Sequence, residues 1–206
     1  MAKAKFYAVK NGKKIGIFET WEACKEQVHG YKGAEFKSFE YREDAVNYLN
    51  GNETKKEFFM ELPKEDELIA FVDGSFNSKT NEYAFGVVLL NSKEEVLTFS
   101  GKDNREDVAT MRNVAGELKG TMFICNYVVK TFPKIKSIKI YHDYEGIAKW
   151  VTGEWKCNLE YTQKYREFML SLKEKINISF EKVAAHTGVE YNEQADKLAK
   201  EILGIK

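Results

Sequence analysis

Four acidic residues occupy positions from which a fold can gather them. Asp73 follows the apolar run Leu68–Val72 and precedes Gly74-Ser75. Asp143 follows a second apolar run at 135–141. Glu117 interrupts an otherwise apolar helical spacing of Val114, Leu118 and Met122, and Asp196 sits in the segment NEQADKLAK at 192–200. Residues at the ends of neighbouring strands converge at one edge of a sheet, where pockets form. Carboxylates brought to one point repel unless cations sit between them, and hard oxygen ligands suit magnesium or manganese. Two such ions, about 4 Å apart, activate a water and stabilise the leaving oxygen in phosphodiester hydrolysis. Taken singly, each acid reads as well as a surface carboxylate, and an Asp after a strand is an ordinary turn residue.

The elements needed to position these acids are legible in the spacing of apolar residues. From residue 67 the chain predicts strands at 68–72, 84–90 and 95–100, an antiparallel set of three. A long helix over 107–131 follows, then a strand at 135–141 and a helix over 144–151. A helix over 160–175, a strand at 178–184 and a closing helix over 192–203 complete the order β-β-β-α-β-α-α-β-α, a mixed α/β sheet with helices against it. Residues 5–49 predict a separate small module. Phe6–Val9 and Ile15–Phe18 form a hairpin about Asn11-Gly12. Thr20 caps a helix from Trp21 to Val28, Glu35–Phe39 is a third strand, and Arg42–Leu49 is a helix ended by Asn50-Gly51. Between them residues 51–65 form a polar linker. Its Phe58, Phe59 and Met60 are too apolar for a free linker and are expected to dock on one of the domains. The domain boundaries are therefore 1–50, 51–65 and 66–206.

Composition narrows the classes. The chain has 206 residues and no apolar run near the roughly 20 needed to span a bilayer. Its start lacks the apolar stretch of a signal peptide, which predicts a cytoplasmic protein. Cys24, Cys125 and Cys157 are an odd, scattered set, suited to burial rather than to disulfides or zinc. Formal net charge is zero. Residues 1–50 carry 9 Lys and Arg against 7 Asp and Glu, and neither of the other two segments exceeds a net charge of −1. Affinity for nucleic acid must then come from local clusters, stacking and metal ions rather than bulk charge.

The segments FVDGSF at 71–76, RNVAGELKG at 112–120, YHDYEGIAKW at 141–150 and AAHTGVEYNEQADKLAK at 184–200 together resemble type 1 ribonuclease H over nearly all of 67–206. His186, ten residues before Asp196 in the HTG…NE…AD pattern, is the most specific feature. The resemblance implies a five-stranded mixed sheet flanked by helices, and hydrolysis of the RNA strand of RNA–DNA hybrids to 3′-hydroxyl and 5′-phosphate ends. It implies two Mg2+ ions, or Mn2+ in their place, held by Asp73, Glu117, Asp143 and Asp196. His186 is then the histidine that assists proton transfer or product release, with a structural histidine as the plain alternative. Asn113 contacts the hybrid, and Gly74 and Ser75 let the backbone approach RNA 2′-hydroxyls. The chain departs from some relatives: only VTGEWKCNLE separates Trp150 from Tyr161, so a long basic protrusion is missing, with Trp155, Lys156 and Asn158 as its remnant. Val114 and Gly116 also loosen the pattern before Glu117.

Residues 5–49 resemble the hybrid-binding (caulimovirus viroplasmin-like) domain that begins many type 1 enzymes, a three-stranded ββαβα module. There Trp21 and Phe36 fall where an aromatic pair packs on DNA sugars, and Tyr7 and Lys37 where phosphates are contacted; a core tryptophan is the alternative for Trp21. Lys10, Lys13 and Lys14 read equally as a phosphate-contacting cluster or a solvated turn. The expected partner is an RNA–DNA hybrid bound by a monomer, with no membrane and no protein partner. Rival readings are a hybrid-binding protein without catalysis, and another nuclease of the same fold, such as a transposase or Holliday-junction resolvase.

Overall fold

A computed structural model describes residues 5–51, 60–183 and 189–205. The chain forms two compact units, residues 1–58 and 59–206. In the first, β1 (Phe6–Asn11) lies between β2 (Gly16–Phe18) and β3 (Glu35–Phe39), antiparallel to both. The hairpin between β1 and β2 forms as predicted, but Asn11-Gly12 is not a tight two-residue turn, because the last registered pair is Val9 with Gly16. Gly12 serves another end. A Cβ there would lie 2.7 Å from Val9 Cγ1 and 2.9 Å from Gln27 O, so its bareness lets Lys13 N donate to Gln27 O at the end of α1 (Trp21–Val28). Thr20 caps α1 by accepting from Ala23 N at 3.2 Å. The helix α2 (Arg42–Leu49) buries Ala45 and Tyr48 against Ala8, a core small enough to leave much of the unit's aromatic surface outside.

The second unit is built on a five-stranded sheet of order β6-β5-β4-β7-β8. β4 (Glu67–Asn77), β5 (Glu82–Leu90) and β6 (Val96–Asp103) are antiparallel. β7 (Ser137–His142) runs parallel to β4, and β8 (Asn177–Lys182) parallel to β7. α3 (Glu106–Ala109) and α4 (Asn113–Thr131) precede β7; α5 (Gly146–Thr152) and α6 (Glu160–Lys173) lie between β7 and β8; α7 (Glu190–Ile202) closes the chain. Leu68, Ala70 and Val72 point into a core with Leu118, Ile124, Ile147, Tyr165 and Met169. Ile69 and Phe71 point into a second core with Tyr141, Val189 and Ala195. Both faces of β4 are covered, which is why its first half is continuously apolar.

Two predictions about elements need correction. The helix expected over 107–131 is two helices, broken where Arg112 takes a left-handed φ of 55°. No Pro or Gly marks the break; Val108 and Ala109 instead pack into a separate cluster with Tyr83 and Ala115. The first strand does not stop at Val72, because β5 pairs with it all the way to Asn77↔Glu82, so Asp73 lies within β4 rather than after it. The apolar end of the linker docks on a domain, as expected for Met60, which packs beside the Ile69–Phe71 core; Pro63 is buried. Phe58 and Phe59 lie outside the described residues. Cys24 and Cys125 are buried as expected, whereas Cys157 is only half-buried. Among the described residues no helix is long and apolar enough to cross a membrane.

Bare backbone seats the helices that carry the acids. A Cβ on Gly74 would stand 2.2 Å from Asn113 O and one on Gly116 1.9 Å from Ala84 O, so α4 lies flush on β4 and β5. A Cβ on Gly86 would stand 2.0 Å from Ala195 O, which brings α7 equally close on the other face. Any side chain at these positions must push a helix off the sheet.

Candidate active site

Parallel pairing of β4 with β7 ends at Phe71↔Tyr141. Asp73 and Asp143 each lie two residues further on. Asp143 is one residue past the end of β7, so the two acids come from adjacent chains, whose spacing in a sheet is about 4.8 Å. Glu117 comes from the second turn of α4, held there by the contact of its own backbone with Gly74. One carboxylate oxygen from each of Asp73, Glu117 and Asp143 lies within 4.8 Å of the others. Asp196 stands outside this trio. It is on α7, next to the Ala195 that abuts Gly86, the residue paired with Asp73. Its charge is felt by Asp73, and its Oδ2 accepts from Lys200 Nζ at 2.6 Å. The structure therefore brings three of the four predicted acids together, with the fourth alongside and engaged by a lysine. His186 lies outside the described residues.

The trio is poorly solvated and like-charged. Glu117 is 1% exposed and Asp73 9%. Burial, then the charges of Asp143 and Asp73, pushes Glu117 up to about 9, although Asn113 Nδ2 donates to its Oε1 at 3.4 Å. Burial, then Asp143, raises Asp73 to about 7 against the pull of the Gly74 N–H, which donates to Asp73 Oδ1 at 2.7 Å. Glu117 Oε2 is buried with no hydrogen-bond partner among the described residues. An unpartnered buried oxygen beside two further carboxylates is the donor set of a hard divalent cation, and the residues fit such an ion.

The remaining predicted positions divide. Asn113 is exposed at the start of α4 and faces Glu117. Ser75 is 8% exposed, and a Cβ on Gly74 would meet the backbone of α4. In the N-terminal unit Trp21 is 41% exposed and Phe36 42%, which excludes the core-tryptophan alternative. Trp21 lies between Tyr7 and Phe36, with both centroid separations 5.8 Å. Register explains the group: Tyr7 pairs with Ser38 and Val9 with Phe36, so Tyr7 and Phe36 share a sheet face. Lys37 alternates to the opposite face, where its ammonium lies over the Phe39 ring, so it does not join the aromatic trio. Lys10 is engaged with Glu35 at 3.7 Å.

Two neighbours of the acids were not singled out from sequence. Tyr144 feels the Glu117 charge, and burial raises its hydroxyl above the usual range. Its carbonyl accepts from His142 Nδ1 at 2.9 Å, fixing the buried His142 beside Asp143. Lys200 is the other. Its signal was present in the i,i+4 spacing from Asp196.

Comparison with known proteins agrees with this architecture. Residues 5–49 match the model of the ribonuclease H1 N-terminal domain and residues 65–203 that of RNase H. A ribonuclease H of Saccharomyces cerevisiae is 43% identical over 53 residues, 26% of this chain and 15% of that protein. Human ribonuclease H1 is 41% identical over 44 residues, 21% of this chain and 15% of that protein. These alignments thus span about 15% of the length of each relative. Among solved structures, RNase H1 from the archaeon Halobacterium salinarum superposes with a TM-score of 0.56 at 21% identity, covering 67% of this chain and 98% of that one. LC11-RNase H1, solved in complex with an RNA/DNA hybrid, gives 0.53 at 16% identity, covering 66% and 99%. At these identities the superpositions speak for the fold, while the family model covers two thirds of the sequence; this chain belongs to the RNase H family and carries a ribonuclease H1 N-terminal domain.

Proposed function

We propose that this protein is an endonuclease that hydrolyses the RNA strand of RNA–DNA hybrids, leaving 3′-hydroxyl and 5′-phosphate ends. The observation that carries the reading is the convergence of Asp73, Glu117 and Asp143 just past the β4–β7 pairing of an RNase H-family sheet, with Glu117 Oε2 buried and unpartnered among the described residues. Asp73, Glu117, Asp143 and Asp196 hold two magnesium ions, for which manganese substitutes. Bound there, the ions supply Lewis acidity to the attacking and leaving oxygens of the phosphodiester. Asp73 and Asp143 fix the spacing from neighbouring strands, Glu117 closes the site from α4, and Asp196 from α7. His186 moves a proton at the departing oxygen or helps release product. Asn113 and the Gly74–Ser75 backbone border the acids on the RNA side, where 2′-hydroxyls distinguish RNA from DNA. The protein acts as a cytoplasmic monomer.

In this reading the N-terminal unit holds the substrate. Trp21 and Phe36 form an open aromatic platform for the DNA sugars, and Tyr7 and Lys37 reach phosphates on either side. Tethering this unit to the nuclease raises the local concentration of hybrid. The direct test is metal-dependent cleavage of a labelled hybrid beside duplex RNA and duplex DNA. Cleavage of the hybrid's RNA strand alone is expected, and equal cleavage of duplex DNA would overturn the assignment. In the same assay Trp21→Ala is expected to raise KM about tenfold, the scale of one lost stacking contact, with kcat unchanged. A fall in kcat at constant KM would remove the platform from the account.

A further inference from the structure

Within α7, Lys200 stands one turn after Asp196 and donates from Nζ to its Oδ2 at 2.6 Å. The pair is not a free surface bridge. The side chains of Asp196 and Lys200 are 24% and 39% exposed, and the helix is pinned to the sheet at Gly86 by the Ala195 carbonyl. Nor is Lys200 confined in effect to Asp196, since its charge also acts on Asp73. The four acids are therefore not equivalent without a metal. Among the described residues, three stand together without an ion-pair partner, and Glu117 Oε2 accepts no hydrogen bond. The fourth already has a cation, supplied by its own helix.

We propose that Lys200 is an internal counter-ion that occupies Asp196 until a second divalent cation displaces it, so that the two cations load in order and Lys200 sets the concentration at which the second one binds. The inference rests on the proposed role of Asp196 as a metal ligand. The Asp73–Glu117–Asp143 trio is free to take a first ion, and doing so relieves the repulsion among its members. The second ion needs an oxygen of Asp196, and that oxygen must first leave a charge-assisted hydrogen bond. The ammonium released then lies beside the site as a cation on a flexible stem, freed of its partner. Lys197, on the same helix, gives the contrast: it pairs with Glu201 at 3.7 Å on an exposed surface.

The test is a magnesium titration of the full-length protein without nucleic acid, by calorimetry and by thermal shift. It compares the wild type with Lys200→Met, Lys200→Arg, Lys197→Met and Asp196→Asn. Lys200→Met keeps the apolar stem and removes the charge. It is expected to tighten the weaker of two binding events roughly two- to fivefold, the scale of a partly exposed ion pair, while the tighter event moves less. Lys200→Arg should restore the wild-type threshold, and Lys197→Met should leave it unmoved. The magnesium concentration for half-maximal hybrid cleavage should fall in Lys200→Met by a similar factor. Unchanged or weaker magnesium binding in Lys200→Met overturns the proposal, as does an equal gain in Lys197→Met, which would reduce the effect to net charge. Asp196→Asn separates this failure from failure of the underlying reading. If it abolishes the weaker event while Lys200→Met changes nothing, only the counter-ion role is lost. If Asp196→Asn leaves both events intact, Asp196 is not a ligand and the two ideas fall together.

Discussion

Asp73→Asn is expected to lower hybrid cleavage by on the order of 10⁴ or more while hybrid binding stays within a few-fold of wild type. Asp73 is the acid placed most rigidly. It lies inside the central strand β4, paired with Gly86 on one side and two residues past the Phe71↔Tyr141 pair on the other. An amide of the same shape keeps the hydrogen bond from the Gly74 N–H but cannot supply the charge a hard cation demands. The fold should not suffer, because the substitution removes a carboxylate whose burial raises it to about 7. Binding should persist because the aromatic platform is in the other unit. The measurements are single-turnover cleavage at saturating enzyme and fluorescence anisotropy of a labelled hybrid. Turnover near the wild-type rate in the presence of magnesium would end the proposed mechanism; loss of binding and cleavage together would move Asp73 from chemistry to substrate contact.

What the sequence disclosed, and what it hid, follow from the range of the interactions involved. The acids were visible because each breaks a local pattern: Asp73 and Asp143 end apolar runs, and Glu117 sits in a helical apolar spacing. The small-module elements were visible for the same reason, with Thr20 before α1 and Asn50-Gly51 after α2. The break at Arg112 was not visible, because no residue there opposes a helix; it is imposed by packing of Val108 and Ala109 on Tyr83, far away in sequence. The length of β4 was hidden because pairing with β5, not the strand's own composition, decides where it stops. Gly116 was legible only as a departure from a pattern and Gly86 not at all, since what they permit is an approach between α4 or α7 and a distant strand. That Lys37 faces away from the aromatic trio was hidden for a simpler reason: one residue along a strand reverses the face, and residues matched by resemblance carry no face of their own.

The second large effect is on stability and depends jointly on pH and metal. In the presence of a chelator, the protein is expected to lose stability steadily from about pH 5 to pH 9, and magnesium is expected to restore it, more at high pH than at low. The sign follows from the two buried acids. Asp73 and Glu117 have ordinary values of 3.8 and 4.5 and stand at about 7 and about 9 in the fold. Raised values mean that the folded chain keeps protons that the unfolded chain gives up. Their contribution is whole below about pH 4 and is lost as pH rises through 7 and towards 9. Each unit of separation is worth about 1.4 kcal/mol per group, so the loss reaches several kcal/mol, or on the order of 10 °C in Tm for a chain of this size. Glu145 works the other way: its bonds to Lys149 and Lys182 hold it at about 2, and that contribution fades only in acid, below the window concerned. Magnesium binds the ionised acids, so its apparent affinity must climb as the protons leave. Tm read from pH 5 to 9, with chelator and with magnesium, gives the two curves. Glu117→Gln should flatten the chelator curve at its alkaline end and shrink the gap between them. A wild-type chelator curve that is level or rising across this range would mean that the trio is solvated or already neutralised by some other group. The three acids would then have no unmet charge for a cation to answer.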